Sequence, residues 1–174
     1  MSEGELLIYL QTHRCHACDA WLLAMTHYVS VLTGMVLLFL IYETWFRKVL
    51  SRKYFWYVTL ALILTAALVH LLKWGIGRPR PFKVVAGLRQ MTDGGQSSFP
   101  SGHTAEVFTL LFALWRLHRF RVLTVLLAAG ALLIAYTRMV FGVHYPTDIL
   151  GGIGVAMLSA GTAPYLLKLF YHEK

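Results

Sequence analysis

The sequence predicts an all-α protein that crosses a membrane several times and forms a single domain over residues 1–174. Apolar residues make up 57% of the chain and charged residues only 14%, and the mean hydropathy is +0.60. Soluble domains carry about 25% charged residues. Apolar segments of membrane-spanning length, about 20 residues, recur along the chain. The charged residues lie in short clusters between these segments, which indicates a transmembrane helix bundle.

Near the start of the chain, residues 4–13 form an apolar segment that is too short to cross a bilayer. We therefore expect a short helix that lies in the membrane interface. Glu3 and Glu5 stand where a cleavable signal peptide would carry basic residues, so the sequence predicts no such peptide.

Five membrane spans are predicted after this helix. They cover about residues 20–42, 54–73, 101–117, 122–140 and the segment from just after Pro146 to about Phe170. Basic turns separate several of the spans, and the glycine- and proline-rich section 74–99 breaks any regular element between the second and the third.

Four glycines lie in the last predicted span, namely Gly151, Gly152, Gly154 and Gly161. Small residues allow membrane helices to approach one another closely. We expect these glycines to form a helix-packing face.

Cys15 and Cys18 form an isolated Cys-x-x-Cys pair, with His13 and His16 close by. A structural zinc site takes four ligands, and a Cys-x-x-Cys redox motif belongs to a βαβ fold. Neither context is recognisable. We favour a pair of structural thiols, disulfide-bonded if extracytoplasmic, over a metal or redox site.

Three polar clusters lie at the ends of the predicted spans, at residues 73–81, 100–103 and 138–148. Because the chain reverses direction between successive spans, all three clusters are expected at the same membrane face. A charged side chain at the end of one span is ordinarily a snorkelling residue. That explanation covers Lys73 or Arg138 alone, but not six polar groups that converge from three separate loops.

The clusters contain groups that can hold a phosphate. Ser101 is a candidate N-cap, Gly102 allows an oxyanion to approach, and the free N–H groups of a helix start attract anions. Arg80 and Arg138 offer planar guanidinium groups to phosphate oxygens, and Lys73 adds a point charge. This inventory indicates phosphoryl transfer, and its place at span ends indicates a lipid phosphate.

The third cluster also contains a candidate nucleophile. Pro146 fixes the short chain between His144 and Asp148, so that the carboxylate can bind one imidazole nitrogen. An aspartate that orients a histidine leaves the other ring nitrogen available as a nucleophile. The second cluster adds another histidine, His103. A helix start that only bound an anion would not need it.

Taken together, the three clusters read K-x6-R-P, P-S-G-H and R-x5-H-x3-D, which resembles the signature of the type 2 phosphatidic acid phosphatase family of integral-membrane lipid phosphate phosphatases. The resemblance covers about 75 residues. Thr137 stands where the family usually has Ser, and five spans stand where six are common. The matching residues are Lys73, Arg80, Pro81, Pro100, Ser101, Gly102, His103, Arg138, His144 and Asp148.

The resemblance implies a role for each of these residues. His144 would attack phosphorus and form a phosphohistidine, and Asp148 would orient it. His103 would protonate the leaving lipid alcohol and then activate water. The phosphoryl oxygens would be held by Lys73, Arg80, Arg138, Ser101 and the Gly102 N–H. No metal or other cofactor is expected, since the fixed cations take that place.

Three further polar residues near the motifs have open roles. Arg78 belongs to a second Arg-Pro pair that lacks the motif spacing, and we treat it as a candidate contact to the lipid headgroup. Glu106 lies one turn after His103 and either tunes that histidine or pairs with a neighbouring span. His70 is expected to serve mainly in packing.

The expected function is that of a bacterial inner-membrane lipid phosphate monoesterase. Lipid A 1-phosphate is the favoured substrate, and the alternatives are phosphatidylglycerophosphate, undecaprenyl pyrophosphate, transfer to a second lipid, or a non-catalytic lipid or anion transporter. The net charge of +8 is assigned to topology and phosphate binding, not to nucleic acid. When the three cations assigned to the phosphate site are left out, the membrane face with the polar clusters carries four Lys and Arg residues and the opposite face carries nine. Because Lys and Arg residues in loops favour the cytoplasm, the site is expected outside the cytoplasm. The sequence leaves the oligomeric state open.

Overall fold

The structure, a computed structural model, describes residues 1–170. Within this range the chain forms eight α-helices and no β-strand, which confirms the predicted all-α class. A 3₁₀ turn precedes α2, and a π-helical turn over Tyr42–Phe46 extends α3. The helices are α1 (Glu3–Thr12), α2 (Asp19–His27), α3 (Val29–Ile41), α4 (Arg52–Ile76), α5 (Pro81–Val84), α6 (Gly102–Trp115), α7 (Arg121–Val140) and α8 (Pro146–Phe170).

Four segments of the described chain are long and apolar enough to cross a membrane. They are Val29–Phe46, Arg52–Val84, Arg121–Val140 and Pro146–Leu169. The predicted spans at 54–73, 122–140 and 146–170 are confirmed, while the first and third predicted spans need correction.

The first predicted span, 20–42, is wrong because the helix breaks at Tyr28, where the backbone leaves the helical region (φ −93°, ψ 16°). The segment before the break is the separate helix α2. Thr26 of α2 is buried and accepts a hydrogen bond from Arg138 Nη1 at 2.8 Å. This helix therefore packs beside the end of α7, and the crossing segment begins only at Val29.

The third predicted span, 101–117, is represented by α6, which has 14 residues, fewer than the roughly 20 that a lipid-exposed crossing requires. Nine of its residues are buried, including Val107, Leu110 and Leu114. It lies centrally, in contact with α3, α4, α7 and α8. Because other helices surround α6, bilayer thickness does not set its length.

The predicted N-terminal helix is confirmed as α1. Its start carries a capping box, in which Ser2 Oγ accepts from the Glu5 N–H and the Glu5 carboxylate accepts from the Ser2 N–H. Leu7 is fully buried, and the Gln11 side-chain amide donates to the carbonyl of Val140 at 2.9 Å. Protein contacts therefore hold α1 against the end of α7.

The structure joins Cys15 and Cys18 in a disulfide, the alternative favoured from the sequence. It lies in the 3₁₀ turn between α1 and α2. The Arg14 guanidinium contacts the Asp19 carboxylate at 3.1 Å beside it, so this turn is held by a covalent link and an ion pair.

Two glycines with positive φ place the loops that enter the polar face. Gly77 (φ +59°) ends α4 in the left-handed conformation, which a residue with a side chain adopts at a cost. Gly142 (φ +72°) follows α7, where an added Cβ would lie 2.6 Å from the Arg89 carbonyl oxygen. Both turns direct the chain into the region of the motifs.

The glycines of α8 separate into two pairs. A Cβ on Gly152 would lie 2.7 Å from the Ser101 carbonyl oxygen, and one on Gly151 would collide with an aromatic ring. Around Gly154 and Gly161 a Cβ would meet nothing within 4 Å. The predicted packing face is confirmed for the first pair and wrong for the second.

We expect Gly152→Ala to lower the thermal unfolding midpoint of the purified protein, because the new methyl group forces α8 away from the start of α6. Overpacking of this kind costs about 1–3 kcal/mol. Gly154→Ala is the matched control, and we expect it to be neutral or to stabilise by up to about 1 kcal/mol through helix propensity. Equal midpoints for the two variants in the same detergent would contradict the packing described here.

Candidate active site

One cavity of about 600 Å³ brings the three polar clusters together. α4 ends at this cavity, α6 begins there, α7 ends there, and α8 begins immediately beside it. The helix ends thus deliver side chains that are far apart in sequence to one membrane face. Of the predicted site residues, Lys73, Arg80, Gly102, His103, Arg138 and His144 line the cavity.

Arg80 is held rigidly in the cavity wall. Its Nε donates to the carbonyl of Gly95 at 2.6 Å, and its Nη1 donates to the carbonyl of Val143 at 2.9 Å. The guanidinium is buried. Its position is fixed before any ligand arrives, which is the preorganisation that anion binding in a low-dielectric site requires.

Arg138 and Lys73 supply the other two cationic groups. Arg138 is 3% exposed, and its Nη1 donates a hydrogen bond to Thr26 Oγ1. Within residues 1–170 its Nε has no hydrogen-bond partner, although a buried donor normally has one. Lys73 Nζ donates to the Ser97 carbonyl at 3.0 Å and keeps further donors. These unused donors fit an anion in the cavity.

His144 lies between a carboxylate and a guanidinium. Its Nδ1 is 3.5 Å from Asp148 Oδ2, and its Nε2 is 3.4 Å from Arg80 Nη1. Asp148 Oδ2 also accepts from the Tyr145 N–H at 2.8 Å. These partners favour the tautomer that carries the proton on Nδ1 and leaves a lone pair on Nε2. A 3.5 Å contact is long for a hydrogen bond, as is common in catalytic sites without substrate.

Burial lowers the pKa of His144 to about 3, since the ring is 1% exposed. The Asp148 carboxylate raises this pKa, and the charges of Arg138 and Arg80 lower it. At a pH above about 6.5, the ordinary pKa of histidine, His144 is therefore neutral in both the folded and the unfolded state. Near neutral pH the imidazole carries no charge, as a nucleophile requires.

The second cluster behaves as predicted only in part. Ser101 occupies the N-cap position of α6, but its hydroxyl is fully buried and shares a hydrogen bond with Thr104 Oγ1 at 2.8 Å. The Ser101 N–H donates to the Asp148 carbonyl at 3.0 Å. Ser101 therefore ties α6 to α8 behind the cavity wall, and its role as a phosphate ligand stays a prediction.

Arg78 has three hydrogen-bond partners that the sequence did not reveal. Its Nη1 donates to Asp148 Oδ1 at 2.7 Å and to Thr147 Oγ1 at 2.6 Å, and its Nη2 donates to Glu3 Oε2 at 2.9 Å. The guanidinium also lies 4.0 Å from the centre of the Tyr145 ring. Arg78 is thus engaged behind His144, and its contact to a lipid headgroup stays a prediction.

Glu3 completes this arrangement from α1 and was missed from the sequence. Its carboxylate accepts from the Thr147 N–H at 3.0 Å and from the Thr147 hydroxyl at 2.8 Å. Partial burial raises the pKa of Glu3, but hydrogen bonds from Thr147 and Arg78 outweigh it and lower that pKa overall. An acidic residue in a first helical turn is normally explained by the helix dipole, so the sequence carried no sign of this contact.

Several other polar residues surround the cavity. Glu106 lines it and accepts a hydrogen bond from Ser30 Oγ at 3.4 Å, which supports its pairing with a neighbouring helix. His70 also lines the cavity. Asp93 and Gln96 lie at its edge on the loop after α5, in a section where the sequence suggested no function.

An apolar groove of about 430 Å³ adjoins the cavity. Leu37 from α3 and Leu62 and Ile63 from α4 line it. The groove and the cavity share four lining residues, namely Val69, His70, Gly102 and Glu106. An apolar path between two membrane-spanning helices therefore leads to the cationic site.

Comparison with known proteins gives a family match over residues 54–171, to the PAP2 superfamily. The undecaprenyl-diphosphatase BcrC of Bacillus subtilis is 28% identical over 84% of this chain and 74% of its own length. The lipid A 1-phosphatase of Rhizobium johnstonii is 36% identical over 56% of this chain and 41% of its own. The matched segments span 37% to 74% of the curated relatives. Among solved structures, Aquifex aeolicus LpxE aligns with a TM-score of 0.79 at 26% identity, over 96% of this chain and 94% of that one.

Proposed function

The chain belongs to the PAP2 superfamily, and on that premise we propose that it is a lipid phosphatase that removes a phosphate monoester through a phosphohistidine at His144. One observation carries the proposal. The neutral imidazole of His144 lies between Asp148 and Arg80 at the wall of a cationic cavity. A protein that only bound or transported an anion would have no use for an oriented, unprotonated nucleophile there.

The first step forms a bond between His144 Nε2 and phosphorus and breaks the bond between phosphorus and the lipid oxygen. Burial and the charges of Arg138 and Arg80 lower the pKa of His103 to about 4, so His103 takes up its proton as the anionic phosphate binds and offsets these charges. It then donates this proton to the departing oxygen, so that the lipid leaves as a neutral alcohol. In the second step His103 accepts a proton from water as the water oxygen attacks phosphorus. The P–N bond breaks, inorganic phosphate leaves, and both histidines return to their initial state.

Lys73, Arg80 and Arg138 would stabilise the negative charge on the phosphoryl oxygens in both steps. Their fixed positions supply electrostatic stabilisation of the kind that divalent cations provide in many phosphoryl-transfer enzymes. The N–H groups at the start of α6, at Gly102 and His103, are further candidate donors. Asp148 acts by positioning His144.

The apolar groove supports a lipid as the substrate. An acyl chain along Leu37, Leu62 and Ile63 would remain in the membrane while its phosphate reached the cavity. Because the groove and the cavity share lining residues, the headgroup and the acyl chain of the lipid can enter by one route.

Among lipid phosphates we propose lipid A 1-phosphate. Asp93 and Gln96 at the cavity edge offer a carboxylate and an amide to the hydroxyl and amide groups of a phosphorylated sugar. The similarity to the Rhizobium lipid A 1-phosphatase agrees with this choice. Undecaprenyl diphosphate is the second candidate, because the Bacillus relative matches over 84% of the chain.

The proposed location is the bacterial inner membrane, with the active site on the extracytoplasmic side. The basic turns at 47–53 and 116–121 belong to the opposite face, and Lys and Arg residues in short loops favour the cytoplasm.

The test is phosphate release by the purified protein in detergent with excess EDTA. Lipid A, phosphatidylglycerophosphate, phosphatidic acid and undecaprenyl diphosphate are compared as substrates. We expect metal-independent release, fastest with lipid A. Release that is fastest with undecaprenyl diphosphate would select the second candidate, whereas release from none of the four by folded protein would overturn the phosphatase proposal.

A further inference from the structure

A second cavity, of about 280 Å³, lies at the opposite end of the helix bundle. Lys53 near the start of α4, Arg116 after the end of α6 and Lys168 near the end of α8 line it. The other ends of these three helices meet at the catalytic cavity. The second cavity therefore faces the other side of the membrane and takes no part in the proposed reaction.

Pro164 and Tyr57 form part of the wall of this cavity. Pro164 lies inside α8 and has no N–H, so the carbonyl of Ala160 loses its normal helical donor. The Tyr57 hydroxyl replaces that donor at 3.1 Å. In the same way the Tyr54 hydroxyl donates to the carbonyl of Ala113, one of the last carbonyls of α6, which lack helical partners. Both tyrosines use their hydroxyls internally and present their rings as an apolar surface.

Two of the charged groups lie near aromatic rings, of which only the Tyr57 ring belongs to the cavity wall. The Arg116 guanidinium is 5.8 Å from the centre of the Tyr57 ring, and Lys168 Nζ is 6.0 Å from the centre of the Tyr165 ring. Both residues are exposed. Among residues 1–170, no carboxylate lines the cavity. Leu117 and Leu167 extend the apolar wall.

We propose that this cavity binds the phosphate headgroup of an anionic phospholipid from the leaflet opposite the active site. Arg116 and Lys168 would contact the phosphate oxygens. The first methylene groups of the acyl chains would cover Leu117 and Leu167. Basic pockets between membrane helices are known to take such headgroups, and a small soluble anion would leave the apolar wall uncovered.

Bound lipid would link three helices that also carry the catalytic groups at their other ends. The ligand is expected to be a phosphodiester such as phosphatidylglycerol, which is not a phosphate monoester and so is not consumed by the proposed reaction. The inference concerns a structural lipid and holds whichever lipid phosphate is hydrolysed.

The experiment measures the thermal unfolding midpoint of the full chain in detergent during titration with phosphatidylglycerol or with phosphatidylcholine. Wild type is compared with the double variant Arg116→Gln/Lys168→Gln. The matched control is Arg119→Gln/Arg121→Gln, which removes the same charge at the same membrane face outside this cavity. Inorganic phosphate is titrated in a separate arm.

We expect phosphatidylglycerol to raise the wild-type midpoint more than phosphatidylcholine does. In Arg116→Gln/Lys168→Gln the half-saturating concentration of phosphatidylglycerol should rise at least tenfold, since each basic residue near the membrane surface contributes measurably to anionic lipid binding. The control should bind as wild type does. Phosphatase activity in lipid-free detergent should be the same in all three proteins.

Three outcomes would overturn the proposal. They are unchanged binding in Arg116→Gln/Lys168→Gln, an equal loss in the control, and an equal rise in midpoint with inorganic phosphate that depends on Arg116 and Lys168. If the double variant does not fold, Lys168→Gln alone is compared with Lys168→Arg by native mass spectrometry. Retained phosphatidylglycerol should fall in the first and persist in the second, and equal retention in both would also overturn the proposal.

Discussion

Replacement of His144 by Asn is expected to abolish phosphate release, with kcat lowered by about 10⁴-fold or more, because among the described residues that line the cavity no other carboxylate-oriented imidazole could replace it as the nucleophile. Asn approximates the size of the imidazole that is buried beside Asp148, so the thermal unfolding midpoint should stay close to that of wild type. The measurements are phosphate release with the best lipid substrate and the midpoint in the same detergent. Residual turnover within tenfold of wild type would exclude a phosphohistidine at His144.

A soluble monoester separates the role of His144 from that of His103. p-Nitrophenolate is a weak base and leaves without protonation. His103→Ala should therefore still release about one equivalent of p-nitrophenol per protein from p-nitrophenyl phosphate, and then stall because no base activates water. His144→Asn should give no such burst. A burst in His144→Asn, or steady turnover in His103→Ala, would contradict the assigned roles.

The convergence of the site was predictable from the chain itself. Alternating spans place the ends of α4 and α7 and the starts of α6 and α8 at one face, whatever the details of packing. The four-residue separation of His144 and Asp148 across Pro146 likewise determines their contact at 3.5 Å. These features depend on chain direction and local spacing, which the sequence contains.

Features that depend on long-range contacts were not predictable. Residues 20–42 are apolar apart from isolated residues such as His27 and Ser30, and these do not show where α2 ends. The length of α6 follows from its central position among other helices. Arg78 and Arg80 have almost the same local sequence, and only the fold turns one behind Asp148 and the other into the cavity.

The position of Arg78 leads to the second large effect. Arg78→Ala is expected to lower kcat by about 10- to 100-fold for every lipid, without a change in lipid preference. Asp148 is 0% exposed, and Arg78 neutralises its charge and fixes its Oδ1. Arg78 is partly exposed but Asp148 is not, so that removal of Arg78 leaves a buried carboxylate without this partner. Asp148 should then shift or take up a proton and no longer orient His144.

Graded variants test this positioning role. Arg78→Lys retains the charge but lacks the planar group that contacts Asp148 and Glu3 together, so partial rescue is expected. Glu3→Gln should cost only a few fold, since Glu3 acts on Asp148 through Arg78. Lys83→Ala removes an exposed cation from the same section of chain and should behave as wild type.

A double-mutant cycle between Arg78 and Asp148 distinguishes this role from a headgroup contact. If Arg78 acts only through Asp148, Arg78→Ala in an Asp148→Asn background should cause little further loss, because the charge it neutralises is already absent. If Arg78 bound the lipid, the two losses would add and the ratio of rates for two lipids would change in Arg78→Ala alone. Additive losses with altered lipid preference would restore the headgroup role, whereas strong coupling with an unchanged ratio would identify Arg78 as the residue that holds Asp148 in place behind His144.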